Sequence, residues 1–225
     1  MNLRHFPAIA CLTLLVAGSA ATAFAESPSS WSRFHGIDGR GTVADGRIPN
    51  SWSDADYTWR PKLGSRDVGS PIVQGGNVYF LASKADSGKI ALESLDLQTG
   101  DLRWSKQFDQ QEHHLHKRNT FASSTPAADQ DNVFVAWADP NHTYLKCFDH
   151  DGNEVWSRDF GTWTSQHGFG SSPRIYGSLV LLMNSQQGEQ LKPSQTPGRS
   201  RMIAVDRKTG DTVWETPLAT TRSCY

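Results

Sequence analysis

The sequence predicts an all-β chain built from a repeated four-stranded unit, and three observations predict it. Eight tryptophans stand in 225 residues, and three of them, Trp104, Trp156 and Trp214, recur at steps of 52 and 58. Each follows an aspartate (Asp96, Asp149, Asp206) by seven or eight residues, with a glycine between the two. The apolar residues around these landmarks alternate at period two, as strands require when successive side chains point to opposite faces.

Charge and composition narrow the class. Lys+Arg is 22 against Asp+Glu 23, a formal net charge of -1. That balance leaves no polybasic surface for nucleic acid and no acidic tail. A hydrophobic share of 37% is enough for a packed core.

In chain order, residues 1–25 read as a signal peptide. Arg4 and His5 precede an apolar run from Ala8 to Phe24, and Ala23-Phe24-Ala25 offers a small-residue cleavage site before Glu26. An uncleaved anchor is the competing reading, though a run of about 17 residues is marginal for spanning a bilayer. Cys11 comes too early in the run for a lipidation site. The mature chain is therefore expected to be exported, periplasmic or extracellular, with no membrane span after cleavage. Residues 26–58 read as a lead-in segment, and 59–225 as the repeat region. Only Cys147 and Cys224 remain after cleavage, and they read as two unpaired side chains rather than a disulfide framework.

Three units follow, over approximately 69–108, 122–160 and 170–218. They open on Gly69-Ser70-Pro71, Ser124-Thr125-Pro126 and Ser171-Ser172-Pro173. Proline suits the start of a strand because its missing N–H lies outside the ladder. A turn and a β-branched or aromatic run give the second strand. Alternating residues before the aspartate give the third. Thr99-Gly100, Asp151-Gly152 and Thr209-Gly210 give positive-φ turns, and the tryptophan lies on the fourth strand. Four strands per roughly 40–50 residues, with one tryptophan each, is the pattern of a β-propeller blade.

These residues carry a resemblance. Ala204-x-Asp206-x-x-Thr209-Gly210-x-x-x-Trp214 resembles the tryptophan-docking motif of pyrroloquinoline-quinone-like (PQQ-like) propellers. Asp96, Thr99, Gly100 and Trp104 repeat it with Ser94 in place of alanine, and Asp149, Gly152 and Trp156 repeat it one residue shorter. The opening Trp31-x-x-Phe34-x-Gly36-x-x-Gly39-x-Gly41 is similar to the start of exported propellers of this kind. The resemblance implies that these aspartates, threonines, glycines and tryptophans are structural, each tryptophan packing between neighbouring blades. Asp149-His150-Asp151-Gly152 reads as such a turn rather than a calcium loop, because it lacks the further ligands.

Counting blades leaves the ring short. Trp59-Arg60-Pro61-Lys62-Leu63 aligns with Trp104-Ser105-Lys106-Gln107-Phe108 and reads as an N-terminal closing strand. Three whole blades plus one strand compare with four to eight blades in a closed propeller. The expectation is an incomplete propeller, with self-association through open blade edges as the alternative.

The candidate site lies on the connections between blades. His116 and Lys117, in the stretch His113-His114-Leu115-His116-Lys117-Arg118, occupy one connection, and His167 occupies the equivalent place one blade on. Imidazoles and a lysine at a channel mouth suit ligand binding, and a basic group before the first blade (Arg66) extends the series. His113 and His114 read as solvated loop residues, and Trp137 and Trp163 as packing. The resemblance implies three functions. One is a noncatalytic binding or scaffold module engaging an unidentified protein or small ligand. Another is a quinoprotein dehydrogenase holding pyrroloquinoline quinone and calcium. The third is an outer-membrane β-barrel assembly factor. The adjacent cysteines typical of the enzymes are absent, and no residue matches a catalytic or calcium-ligand motif, so the binding module is preferred.

Overall fold

A computed structural model describes residues 30–43, 49–65, 67–84, 88–193 and 195–220. Residues 1–25, which the sequence suggests as a signal peptide, Arg66 and Cys224 lie outside the described residues. Among the described residues, one 3₁₀ turn (Asp54–Asp56) and thirteen strands make up the regular structure, and every strand pairing is antiparallel.

The first sheet comprises β1 (Asp67–Val68), β2 (Ile72–Gln74), β3 (Asn77–Lys84), β4 (Lys89–Asp96) and β5 (Leu102–Asp109). Both β1 and β2 pair with β3, so they are two pieces of one inner strand interrupted at Gly69-Ser70-Pro71. The second sheet runs β6 (Ala127–Ala128), β7 (Asn132–Ala138), β8 (Thr143–Asp149) and β9 (Glu154–Asp159), in that spatial order. The third runs β10 (Arg174–Tyr176), β11 (Leu179–Asn184), β12 (Arg201–Asp206) and β13 (Thr212–Pro217). Each of the three prolines immediately precedes its inner strand, where no ladder N–H is needed.

The sheets pack face to face. Tyr79, Leu81, Ile90 and Leu92 of the first meet Val133, Val135, Trp137 and Phe148 of the second. Phe134, Ala136, Leu145 and Cys147 on the opposite face of the second meet Val180, Leu182, Ile203 and Val205 of the third. Burying one such side chain stabilises by about 1.5–3 kcal/mol, so these two interfaces are the core. Burial also raises the Cys147 thiol to about 12, with Asp129 and Asp149 adding to the shift, which makes it an apolar filler.

One motif joins each blade to the next. The aspartate carboxylate accepts backbone N–H bonds from the turn that follows it: Gln98 and Thr99 to Asp96 (2.7 and 2.9 Å), Lys208 and Thr209 to Asp206 (2.8 and 3.0 Å). The shorter second copy closes with Asp151 and Asn153 on Asp149 (3.0 and 2.7 Å). Thr99 and Thr209 brace their turns by donating to Asp101 and Asp211 (2.7 and 2.8 Å). The tryptophan of the preceding blade then lies on the turn glycine and donates its indole N–H to the carbonyl just after the aspartate. Trp104 bonds His150 at 2.9 Å, and Trp156 bonds Arg207 at 3.0 Å. Gly100, Gly152 and Gly210 all have φ between 75° and 83°. A Cβ on any of them would stand within 3.0 Å of the docked indole. Two constraints, a left-handed backbone and a ring against the α-carbon, therefore demand glycine. The small residues Ser94, Cys147 and Ala204 sit directly across the ladder from Trp104, Trp156 and Trp214.

The two ends of the series differ. Residues 59–63 form no ladder, yet Trp59 occupies the seat on Gly100 and bonds Leu97 O at 2.9 Å. With Leu63 it covers Val78, Phe80 and Leu95 on the outer face of the first sheet. Trp214 departs from the expected burial between blades. It is 38% exposed, because no sheet beyond the third stands among the described residues, and β13 is exposed along its length. The three blades thus form an open stack, an incomplete propeller.

The lead-in segment runs along the inner strands. Trp31 exchanges two backbone bonds with Val73 of β2 (2.9 and 3.0 Å), and Ala128 N of β6 donates to Ser32 O at 2.8 Å.

Asp96 makes the turn pH-sensitive. The Arg103 guanidinium, then the N–H groups of Thr99 and Gln98, hold its carboxyl down at about 2. A carboxyl depressed in the folded state stabilises above its unfolded pKa, about 3.9, and loses that contribution as pH falls through 2. Comparing unfolding midpoints of wild type and Asp96→Asn from pH 5 to pH 2 should therefore show the gap between them closing on acidification. A gap independent of pH excludes the carboxylate as the cause.

Candidate functional site

Strand order dictates where loops gather. Each connection runs from the outermost strand of one sheet to the innermost strand of the next, so it must cross the same end of the stack. The β5–β6 connection (110–126) and the β9–β10 connection (160–173) meet there. His116 N donates to His167 O at 3.4 Å, and Asn119 Nδ2 donates to the same carbonyl at 2.7 Å. The His116 and His167 rings stand edge to face, centroids 5.6 Å apart. Gly168 permits this approach: its φ is 103°, and a Cβ there would fall 2.3 Å from Asn119 Nδ2. Arg118 N donates to His116 Nδ1 at 3.3 Å, which leaves Nε2 to carry the proton of the neutral ring. Lys117 is exposed beside the pair. His116 and His167 are thus brought together, with Lys117 on their solvent side.

A cleft of about 540 Å³ opens next to them, lined by His113, Phe160, Trp163, Gln186, Arg199 and Arg201 among others. Ser165 joins the two features, lining the cleft while its Oγ accepts from His167 N (2.9 Å) and Gly168 N (3.2 Å). The far wall is the 185–200 excursion between β11 and β12. Gln186 fixes it, donating its N–H to Ser200 Oγ (2.8 Å) and accepting from Thr164 N at Oε1 (3.1 Å). Arg201 donates to Phe160 O at 2.9 Å and pairs with Glu215 at 3.2 Å.

His113 is not the solvated residue expected from sequence. Its ring lies edge-on to Phe121 and Trp163 (centroids 5.2 and 6.2 Å), and its Nδ1 bonds Gln111 O at 3.0 Å. Among the described residues its buried Nε2 and the buried Nε1 of Trp163 have no hydrogen-bond partner. Buried polar atoms left unbonded cost free energy, roughly 1–3 kcal/mol each, which a ligand could recover. Trp163 packs as expected, but Gln186, Arg199 and Arg201 carry no motif. Their place in the cleft follows from the long β11–β12 excursion, which local sequence does not announce.

A calcium ion takes six to eight oxygen ligands, carboxylates prominent among them. The cleft is lined by imidazoles, guanidinium groups, amides and hydroxyls, with no carboxylate, and the described residues contain no cluster of three potential metal ligands. Its donor set does not fit calcium.

A family model described as outer membrane protein assembly factor BamB matches residues 95–224, more than half of the chain. The chain belongs to this family of PQQ-like β-propeller repeats. Three solved structures resemble the PQQ-like stack. A europium-containing methanol dehydrogenase is 17% identical, with a TM-score of 0.49, over 69% of this chain and 26% of that one. The quinohemoprotein alcohol dehydrogenase from Comamonas testosteroni is 22% identical, TM-score 0.47, over 68% and 21%. BamB from Moraxella catarrhalis is 17% identical, TM-score 0.40, over 71% and 51%. The chain therefore spans between about a fifth and a half of the length of these relatives. No curated protein matches it. Among the described residues no helix is long and apolar enough to cross a membrane.

Proposed function

We propose that this PQQ-like propeller is an exported, noncatalytic binding module whose connecting loops engage a protein partner at the cleft and at the adjoining His116, Lys117 and His167. The observation that carries the reading is the convergence of three loops on one 540 Å³ cleft, with the Trp163 N–H and His113 Nε2 buried and unbonded within residues of its wall. One is a donor and the other, with Nδ1 bonded to a carbonyl, an acceptor in the neutral ring, so a partner loop that parts the wall to reach them would find a match for its backbone amide. Lys117 and Arg199 at the exposed margin favour a partner bearing carboxylates.

A photo-crosslinking side chain at Lys117, with a second at Tyr176 on the far face of the third sheet, tests this in envelope extracts. A discrete crosslinked partner at Lys117 alone is the expected result. Trp163→Phe keeps the ring and removes the N–H, so it should weaken that partner's affinity about tenfold, the equivalent of one lost hydrogen bond. Equal crosslinking at both positions, or unchanged affinity in Trp163→Phe, overturns the assignment. Light scattering on the same sample establishes whether the capturing species is a monomer or self-associates through β13.

A scaffold role in outer-membrane protein assembly is the more specific form of this reading, and the description of the matching family favours it. In that form the crosslinked partner is a component of the assembly machinery.

A further inference from the structure

A second concavity lies away from the cleft, where the lead-in loop meets the start of β10. It encloses about 260 Å³, and Arg33, Phe34, His35, Gly39, Ser172 and Arg174 line it. At on the order of 30 Å³ per water it is large enough for a hydrated oxyanion. We propose that this pocket binds a small oxyanion, of phosphate or carboxylate type, between Arg33 and Arg174.

Three observations lead there. First, two guanidinium groups line one small space with no carboxylate in its wall. Like charges so placed repel, and an anion between them converts repulsion into two charge-assisted contacts. Asp38, the carboxylate that acts on Arg33, is itself beside Arg40 at 3.7 Å. Second, Arg174 stands at a register position that the other blades fill differently. It pairs across the ladder with Leu181 as Ile72 pairs with Tyr79 and Ala127 with Phe134. Ile72 and Ala127 are fully buried against the next sheet, whereas Arg174, on the last described sheet, is exposed and lines the pocket. Third, the loop bearing Arg33 is rigidly set. Its Nε and Nη2 both donate to Ile37 O (3.1 and 2.6 Å), and Gly41 N bonds His35 O at 2.9 Å. His35 is held at φ 62°, a conformation a non-glycine residue seldom keeps without a compensating gain.

The remaining donors suit the same ligand. Ser172 lines the pocket, and its Oγ accepts from Thr125 N at 3.0 Å, so its hydroxyl proton is the group it can still donate. Burial and the neighbouring Arg174 both lower the Arg33 pKa, as expected of cations facing each other. The pocket shares no residue with the cleft, so this inference stands whether or not the partner-binding reading holds.

Titrating the purified chain with inorganic phosphate and, separately, succinate, against chloride at matched ionic strength, tests it by thermal unfolding and calorimetry. At least one anion should give a saturable rise in the unfolding temperature beyond that in chloride, and the stronger arm identifies the oxyanion class. Arg174→Gln should weaken that binding tenfold or more while unfolding, without anion, no lower than wild type. Lys192→Gln removes an exposed cation elsewhere and should bind as wild type. If Arg174→Gln fails to fold, Arg174→Lys keeps the charge without the fork and should bind several-fold more weakly. Absence of a saturable shift with either anion, or an undiminished response in the Arg174 variants, overturns the proposal.

Discussion

Trp156→Ala is expected to cost about 3–5 kcal/mol of folding stability, as truncation of a large buried aromatic does. The ring is 8% exposed, packs against Phe134 and over Gly210, and donates to Arg207 O at 3.0 Å. Truncation leaves a cavity between the second and third sheets and strands that carbonyl. The same change at Trp214 should cost less than about 1 kcal/mol, because an exposed ring without a neighbouring blade has little to lose. Urea unfolding of the two variants beside wild type decides the matter. Comparable losses would mean that the docking geometry contributes nothing beyond the ring's own sheet.

Gly210→Ala should be strongly destabilising for a change of one methyl. A left-handed backbone alone costs an L-residue about 1–2 kcal/mol. At Gly210 the new Cβ would also stand 2.7 Å from Trp156 and must push the indole off its seat. Gly177 supplies the control, since its φ is 57° but nothing lies within 4 Å of a Cβ there. Gly177→Ala therefore reports the backbone cost alone, and Gly210→Ala should exceed it by about 2 kcal/mol or more. Equal losses in chemical unfolding would show that the ring adjusts freely.

The blade pattern was legible in the sequence because its determinants are local. Asp-x-x-Thr-Gly encodes a turn within five residues, and strand alternation encodes which face is buried. The three prolines and the three tryptophans then mark where each blade begins and ends. The approach of His116 to His167 could be anticipated for a related reason: equivalent connections in a repeat cross the same end. The cleft could not be. His113, Trp163 and Arg199 come from three loops, and only the stacking of sheets and the long β11–β12 connection bring them together. His113 in particular looked solvated among its polar neighbours, but its ring packs edge-on against Phe121 of the same connection and Trp163 of the next. The lead-in was equally opaque, because backbone pairing at Trp31 and Ser32 leaves no side-chain signature.

The docking motif also imposes a direction in time. Every seated tryptophan precedes its seat in the chain, which lies 38 to 51 residues downstream of the ring. On a ribosome adding about 5–20 residues per second, Trp104 emerges and then waits roughly 2–9 s before His150 exists to receive it. Each finished blade therefore spends seconds with an apolar ring uncovered. The nascent chain is most exposed to chaperones, and to wrong partners, once per blade and always at its growing edge.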